Sequence, residues 1–170
     1  TLTYDIQSLT EDHDGNIWAG NYQELIRLGS KNNSGRQVFK INYPVRCLFE
    51  DSARRFWVGT QEGGLLLFNK ANGSFRRYTT ADGLPSNSIF RILQDRQGCL
   101  WLSTYNGLCC FNPGKGTFQS FTRADGLQNN QFSYNAGIPL RSGEFVFGGN
   151  SGFDLFSPAN LTQHIAEETP

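Results

Sequence analysis

The side chains most able to do chemistry are the carboxylates of Asp12, Asp51 and Asp95. Each lies in a turn just ahead of a tryptophan, Trp18, Trp57 or Trp101, and the chain has no other tryptophan. Asp82 and Asp125 form a second recurring pair, each inside an Ala-Asp-Gly-Leu tetrapeptide. A carboxylate that returns with every repeat serves the repeat's own hydrogen bonds, because a catalytic pair needs one copy only. The only histidines are His13 and His164, which leaves little material for a Ser-His-Asp or Cys-His site. Cys47, Cys99, Cys109 and Cys110 contain no CxxC pair, so zinc is not expected. They sit in apolar strand patterns and read as buried free thiols, and spacing alone assigns no pairing among them. The turn at Asp12 and Asp14 resembles a calcium loop only faintly: Gly15 and Gln23 stand fourth and twelfth, where that loop needs Gly sixth and Glu twelfth. No GxGxxG, P-loop or GxSxG is present. The reading is a non-enzymatic segment with no catalytic residue, no metal and no cofactor.

Binding chemistry is the alternative to catalysis. Tyr22, Gln61, Asn87, Tyr105, Asn106, Asn129, Asn130 and Asn150 lie in turns or loops. Aromatic plates combined with amides are what sugars need: an apolar ring face stacks while amides bond the hydroxyls. Asn and Gly are also good turn formers, so the expectation rests on where the elements place these residues.

Those elements come from a repeat. Residues 94–107 read QDRQGCLWLSTYNG, residues 50–63 read EDSARRFWVGTQEG, and residues 11–22 read EDHDGNIWAGNY. A weaker copy over 142–152 puts Val146 in the Trp place. The intervals between Trp18, Trp57, Trp101 and Val146 are 39, 44 and 45 residues, and the Ala-Asp-Gly-Leu tetrapeptide returns after 43. A period near 40–45 with four short strands per unit describes a β-propeller blade. A lone four-stranded sheet cannot cover both its faces, so blades stack and bury aromatic and aliphatic side chains between them. Packing between blades is therefore the expected role of the three tryptophans and of Phe68, Phe75, Phe111 and Phe118.

The predicted fold is all-β: about four four-stranded antiparallel blades, part of a larger ring. The blades span residues 6–44, 45–88, 89–132 and 133–158, with no clear outer strand in the last. Residues 159–170 read as a linker, and 29–36 as a loop. Strands alternate direction, so the loop before strand one and the turn between strands two and three share one side of the ring. That side carries the tyrosines and amides named above.

Composition excludes some partners. The chain has 15 basic and 15 acidic residues and no net charge, which gives no electrostatic reason to bind nucleic acid or an anionic membrane surface. Its apolar runs fall far short of the roughly 20 residues that span a bilayer. No signal-peptide pattern occurs, and 170 residues without one Met suggest a processed or excised segment.

The repeats resemble the two-component regulator propeller repeat. Asp82-Gly-Leu-Pro-Ser-Asn87, Asp95-Arg-Gln-Gly98, Leu100-Trp-Leu-Ser-Thr104 and Asn106-Gly-Leu108 carry the resemblance. Arg54 departs from the pattern where the turn Gly stands, and the first repeat lacks the Asp-Gly-Leu loop. The segment from Phe147-Gly-Gly-Asn-Ser-Gly-Phe153 to Phe156-Ser-Pro158 is similar to the last blade of such propellers, before an immunoglobulin-like domain. The resemblance implies the periplasmic sensor half of a hybrid histidine kinase, detecting glycan breakdown products. The expected ligand is an oligosaccharide, at Tyr22, Gln61, Asn87, Tyr105, Asn106, Asn130 and Asn150. A protein–protein scaffold and a propeller lyase or hydrolase are the rival readings. Four blades leave two apolar sheet faces open. The expected cover is a second copy of the chain, in preference to tight closure as a small four-bladed ring, or neighbouring blades and the immunoglobulin-like domain in a longer parent protein.

Overall fold

The computed structural model describes residues 5–29 and 35–161. Parts of the 29–36 loop and the 159–170 linker lie outside the described residues. Among the described residues fifteen strands form four antiparallel sheets, each a meander. The first sheet holds β1 (Ser8–Glu11), β2 (Ile17–Gly20), β3 (Glu24–Leu28) and β4 (Arg36–Lys40). The second holds β5 (Val45–Glu50), β6 (Phe56–Thr60), β7 (Leu65–Phe68) and β8 (Phe75–Tyr78). The third holds β9 (Ile89–Gln94), β10 (Leu100–Thr104), β11 (Gly107–Asn112) and β12 (Thr117–Phe121). Three strands make the fourth: β13 (Phe132–Pro139), β14 (Phe145–Gly149) and β15 (Gly152–Phe156). The innermost strands β1, β5, β9 and β13 lie side by side, which is the arrangement of propeller blades. The fourth inner strand starts at Phe132, earlier than the residue pattern suggests, because Phe132 pairs with Gly149 before a break in register.

The Asp–Trp motif is a latch. Trp18, Trp57 and Trp101 are fully buried, and each indole N–H donates to the turn carboxylate of its own blade, at 2.8, 2.8 and 2.9 Å. The other carboxylate oxygen accepts two backbone N–H groups: Asp14 and Asn16 at Asp12, Ala53 and Arg55 at Asp51, Gln97 and Cys99 at Asp95. One side chain thus closes the β-turn and fixes the Trp orientation. Each indole then meets an aromatic ring from the third strand of the next blade: Phe68, Phe111 and Phe156, at 5.8, 5.6 and 5.1 Å. In the fourth blade Leu140 and Val146 occupy the two latch positions, so Asp and Trp disappear together. Phe75 is an exception to the packing expectation. It is exposed, because it sits on the outermost strand opposite Phe68, where the neighbouring blade does not reach it. Phe118 stacks on Phe111 at 4.2 Å.

Close approach, within a blade and between blades, constrains two further positions. A Cβ on Gly59 would stand 2.3 Å from Cys47 Sγ and 3.0 Å from Ile89 Cγ2. Gly107 has φ +89, and a Cβ there would lie 2.1 Å from the Phe121 carbonyl oxygen. The Ala-Asp-Gly-Leu segments form short 3₁₀ turns, Thr80–Asp82 and Arg123–Asp125. Each is closed by a capping box between Thr79 and Asp82 or between Thr122 and Asp125. All four cysteines are free thiols. Burial pushes the Cys47 and Cys109 thiols up to about 12, far from nucleophilic form at neutral pH. Among the described residues no helix is long and apolar enough to cross a membrane.

Candidate functional site

The site lies where the inner strands bulge. On β5, Val45 pairs with Thr60 and Cys47 with Gly59, so Arg46 is an inserted residue. On β9, Ile89 pairs with Thr104 and Arg91 with Ser103, so Phe90 is inserted likewise. On β13 the register breaks between Phe132 and Gly137, which releases Tyr134. In the first blade Gln7 stands just ahead of Ser8, which pairs with Gly20 as Cys47 pairs with Gly59. Gln7, Arg46, Phe90 and Tyr134 are 39, 44 and 44 residues apart, the rhythm of the repeat. An extra residue in a ladder turns its side chain out of the pleat, and here these four side chains meet at the centre of one face.

Arg46 is the hub. Its Nε donates to Gln61 Oε1 at 3.1 Å, a terminal nitrogen donates to the same oxygen, and the other terminal nitrogen donates to Gln7 Oε1 at 2.7 Å. The guanidinium lies over the Tyr134 ring at 4.5 Å and near the Tyr22 ring at 5.7 Å. Tyr134 packs edge-on against Phe90 at 4.4 Å, and Tyr105 packs edge-on against the same ring at 4.6 Å. The Tyr134 hydroxyl reaches Gln61 Oε1 at 3.5 Å. Burial raises the Tyr134 pKa, a hydrogen bond with Tyr105 raises it further, and the Arg46 charge opposes both. Tyr22, Tyr105 and Tyr134 keep 48%, 47% and 43% of their surface exposed. Among the described residues no carboxylate pairs with Arg46.

The structure therefore gathers three of the residues singled out by sequence, Tyr22, Gln61 and Tyr105, around a cation and a tyrosine that were not. Arg46, Tyr134 and Gln7 share the repeat spacing, and that was the only signal for them. The amides behave differently. Asn87 Oδ1 accepts the Thr80 N–H at 2.9 Å and Asn130 Oδ1 accepts the Arg123 N–H at 2.7 Å, so each ties its loop to the 3₁₀ turn. The loops themselves close on the turn between strands two and three: Gly64 and Gly107 N–H donate to the Asn87 and Asn130 carbonyls. Asn106 donates to the Pro85 carbonyl at 3.4 Å. Asn150 donates to Gln131 and Asn129 to Ser151, both tying the loop before β13 to the turn between β14 and β15.

A cavity of about 280 Å³ opens between the inner strands of all four blades, lined by Gln7, Ser8, Cys47, Arg91 and Asn135 among others. Ser8, Cys47 and Arg91 hold equivalent positions and each donates to the next blade's inner strand, at the Val45, Ile89 and Gly137 carbonyls.

The opposite end of the strands carries a charged cluster. Lys70 Nζ lies 2.8 Å from Glu50 and 3.1 Å from Asp12, linking the second blade to the first. His13 bonds Glu50 through both its backbone N–H and its ring, at 2.7 and 2.9 Å. Burial opposes the charges on Asp12 and Glu50. It is outweighed by hydrogen bonds, chiefly from Trp18 and the Asn16 backbone at Asp12 and from Lys70 at Glu50, and both carboxyls fall below their usual range. In the third blade Asp95, Cys99 and Cys110 bring one ligand atom each within 4.8 Å of one another. The Asp95 oxygens already serve Trp101, Gln97 and Cys99, as Asp12 and Asp51 serve their own turns, so the turn accounts for that carboxylate.

The family model described as two component regulator propeller matches residues 2–23, 40–62 and 83–106. These three stretches are two-component regulator propeller repeats. No curated protein is significantly similar to this repeat segment. Among solved structures it is similar to the chain described as the extracellular domain of the hybrid two component system BT3049 from B. thetaiotaomicron. That likeness has a TM-score of 0.82 at 22% identity and covers 97% of this chain and 22% of that one. A second similar structure is the extracellular domain of the one component system BT4673 from the same organism. Its TM-score is 0.72 at 23% identity, with 88% of this chain and 21% of that one covered. A third is virginiamycin B lyase from Staphylococcus aureus, solved as a catalytically inactive variant with quinupristin. It gives a TM-score of 0.70 at 14% identity over 92% of this chain and 57% of the lyase. At these identities the likenesses concern the propeller fold. The chain spans about a fifth of the two extracellular domains, 22% and 21% of their lengths.

Proposed function

We propose that this segment is an extracytoplasmic, periplasmic ligand-sensing arc of a hybrid two-component sensor, and that it takes an oligosaccharide on the face around Arg46. The observation that carries the reading is the convergence of Tyr22, Tyr105 and Tyr134 with Gln61 on an open surface. Half-exposed rings offer stacking area, and hydroxyls and an amide offer donors and acceptors at ring-edge height. The propeller repeats and the similarity to extracellular domains of a hybrid two component system and a one component system support the compartment and the signalling role. The neighbouring blades of a longer chain, and an immunoglobulin-like domain beyond the fourth blade, would cover the faces this arc leaves open.

A thermal-shift screen against oligosaccharides of several linkage classes tests this. One class is expected to raise the melting temperature, with no product formed on prolonged incubation. Product formation would replace the sensor reading with the lyase or hydrolase reading. A chain that ignores every sugar but is captured by a protein partner of the same cell envelope would favour the scaffold.

A further inference from the structure

Arg46 spends its hydrogen bonds in an unusual way. A guanidinium has five N–H donors. Three go to the side-chain oxygens of Gln7 and Gln61, and both of these acceptors are neutral. Two donors remain, one on each terminal nitrogen. The charge has no carboxylate partner among the described residues, whereas Arg54, Arg55 and Lys70 each have at least one. The side chain is half-buried and held on one side by Tyr134 and on another by Tyr22, so its orientation is set before any ligand arrives. Beneath it, the central cavity that Gln7 lines also contains Arg91, and its lining includes no carboxylate. A fixed, unneutralised guanidinium with two free donors is built for a planar or tetrahedral oxyanion. A neutral sugar would be served by the amide and hydroxyls alone.

We infer that the ligand of this face is an acidic oligosaccharide, whose carboxylate or sulfate group sits against Arg46 while a sugar ring lies on the exposed tyrosines. This inference rests on the oligosaccharide reading above and adds the charge of the ligand to it. Arg46 and the three tyrosines come from four different blades, so the site reads the spacing of the inner strands as well as the ligand. Binding that draws Tyr22 and Tyr134 against an anion on Arg46 would tighten the first, second and fourth blades on one another.

The test is calorimetric titration of the 170-residue chain with oligogalacturonate, with the same oligomer after reduction of its carboxyls, and with a sulfated glycosaminoglycan disaccharide. The acidic oligomer, or the sulfated sugar, is expected to bind at least tenfold tighter than the reduced one. That preference should shrink as salt rises, since a partly exposed charge pair is screened. Which of the two acidic sugars binds assigns the group as carboxylate or sulfate. In Arg46→Gln the acidic and reduced sugars should bind with one affinity, and Arg46→Lys should keep part of the preference. Equal binding of acidic and reduced sugars to the unmodified chain, at every salt concentration, overturns the acidic assignment and leaves the oligosaccharide reading standing. A chain that binds neither these sugars nor any neutral oligosaccharide of the screen overturns both. Because the reduced-sugar comparison uses the unmodified protein, a variant that fails to fold does not rescue the inference.

Discussion

Trp57 donates its indole N–H to Asp51 Oδ2 at 2.8 Å, and both side chains are fully buried. The pair joins the turn that starts β6 to the packing surface that meets the third blade, so one contact couples hairpin closure to blade stacking. The same pair recurs at Trp18–Asp12 and Trp101–Asp95. Trp57→Phe should leave a buried carboxylate short of one donor and cost about 1.5–3 kcal/mol. Trp101→Ala should cost about 3–5 kcal/mol, because it also opens a cavity between blades. Denaturant unfolding of the two variants measures both. A Trp101→Ala chain that melts like the parent would disprove the packing role.

The Lys70 cluster predicts a pH profile. Asp12 and Glu50 have lowered carboxyl pKa values in the folded chain, so their contribution to stability is complete above about pH 5 and is lost as pH falls through the folded values. Lys70 is raised: although burial opposes its charge, the hydrogen bonds to Glu50 and Asp12 prevail. Its contribution is complete below about pH 10 and is lost as pH rises through the raised value. Lys70→Met should cost on the order of 3 kcal/mol at neutral pH by stranding two buried carboxylates, and should move the best stability toward acid. Melting temperatures from pH 3 to 11 report it; an unchanged profile in the variant would show that the cluster is inert.

Gly59→Ala should destabilise the chain by about 1–3 kcal/mol, because the new methyl would collide with Cys47 Sγ and the Ile89 side chain. Gly116→Ala, where no atom lies within 4 Å but φ is +69, tests strain without collision. It should cost less, about 1 kcal/mol. Equal losses at the two positions would mean that the tight contact at Gly59 relaxes freely.

Tyr105→Ala should leave the melting temperature within about 2 °C of the parent, since the ring is half-exposed and off the Trp clusters. Oligosaccharide binding should weaken roughly tenfold, in line with the loss of one stacking or hydroxyl contact. A large stability loss would reassign Tyr105 to the packing of Phe90.

The open sheet faces predict association. The face of the first blade turned away from Trp18 exposes Leu9 at 68%, with Ile17 and Val38. The fourth blade exposes Phe153 at 66%, with Ile138 and Leu155, on the side where a latch Trp would stand. Two copies could cover both faces at once by two-fold symmetry. Light scattering of the isolated chain should show a concentration-dependent dimer, and Phe153→Glu should abolish it. A monomer at all concentrations would show that these faces are covered within the chain or tolerated by it.

The repeat was legible because it is local. Asp, Gly, Trp and the Ala-Asp-Gly-Leu tetrapeptide act on neighbours a few residues away, so the same residues must return in each blade, and the period names the architecture. The strand order, the turn sides and the structural duty of Asp12, Asp51 and Asp95 all follow from that locality. The site was half legible. Tyr22, Gln61 and Tyr105 occupy turns that parity alone places on one face. Gln7, Arg46, Phe90 and Tyr134 share one structural position but have four different side chains, and nothing in a strand's residues marks a bulge until its partner's register is known. Asn87 and Asn130 illustrate the converse: an amide in a loop looks like a ligand donor until the tertiary structure shows a backbone N–H already on its oxygen. The sequence by itself determined the blades and the latches, because those are short-range hydrogen bonds and periodic burial. Only the tertiary structure decided which side chains meet at the centre of the face, because that meeting depends on contacts between blades that lie 39 to 44 residues apart in the chain.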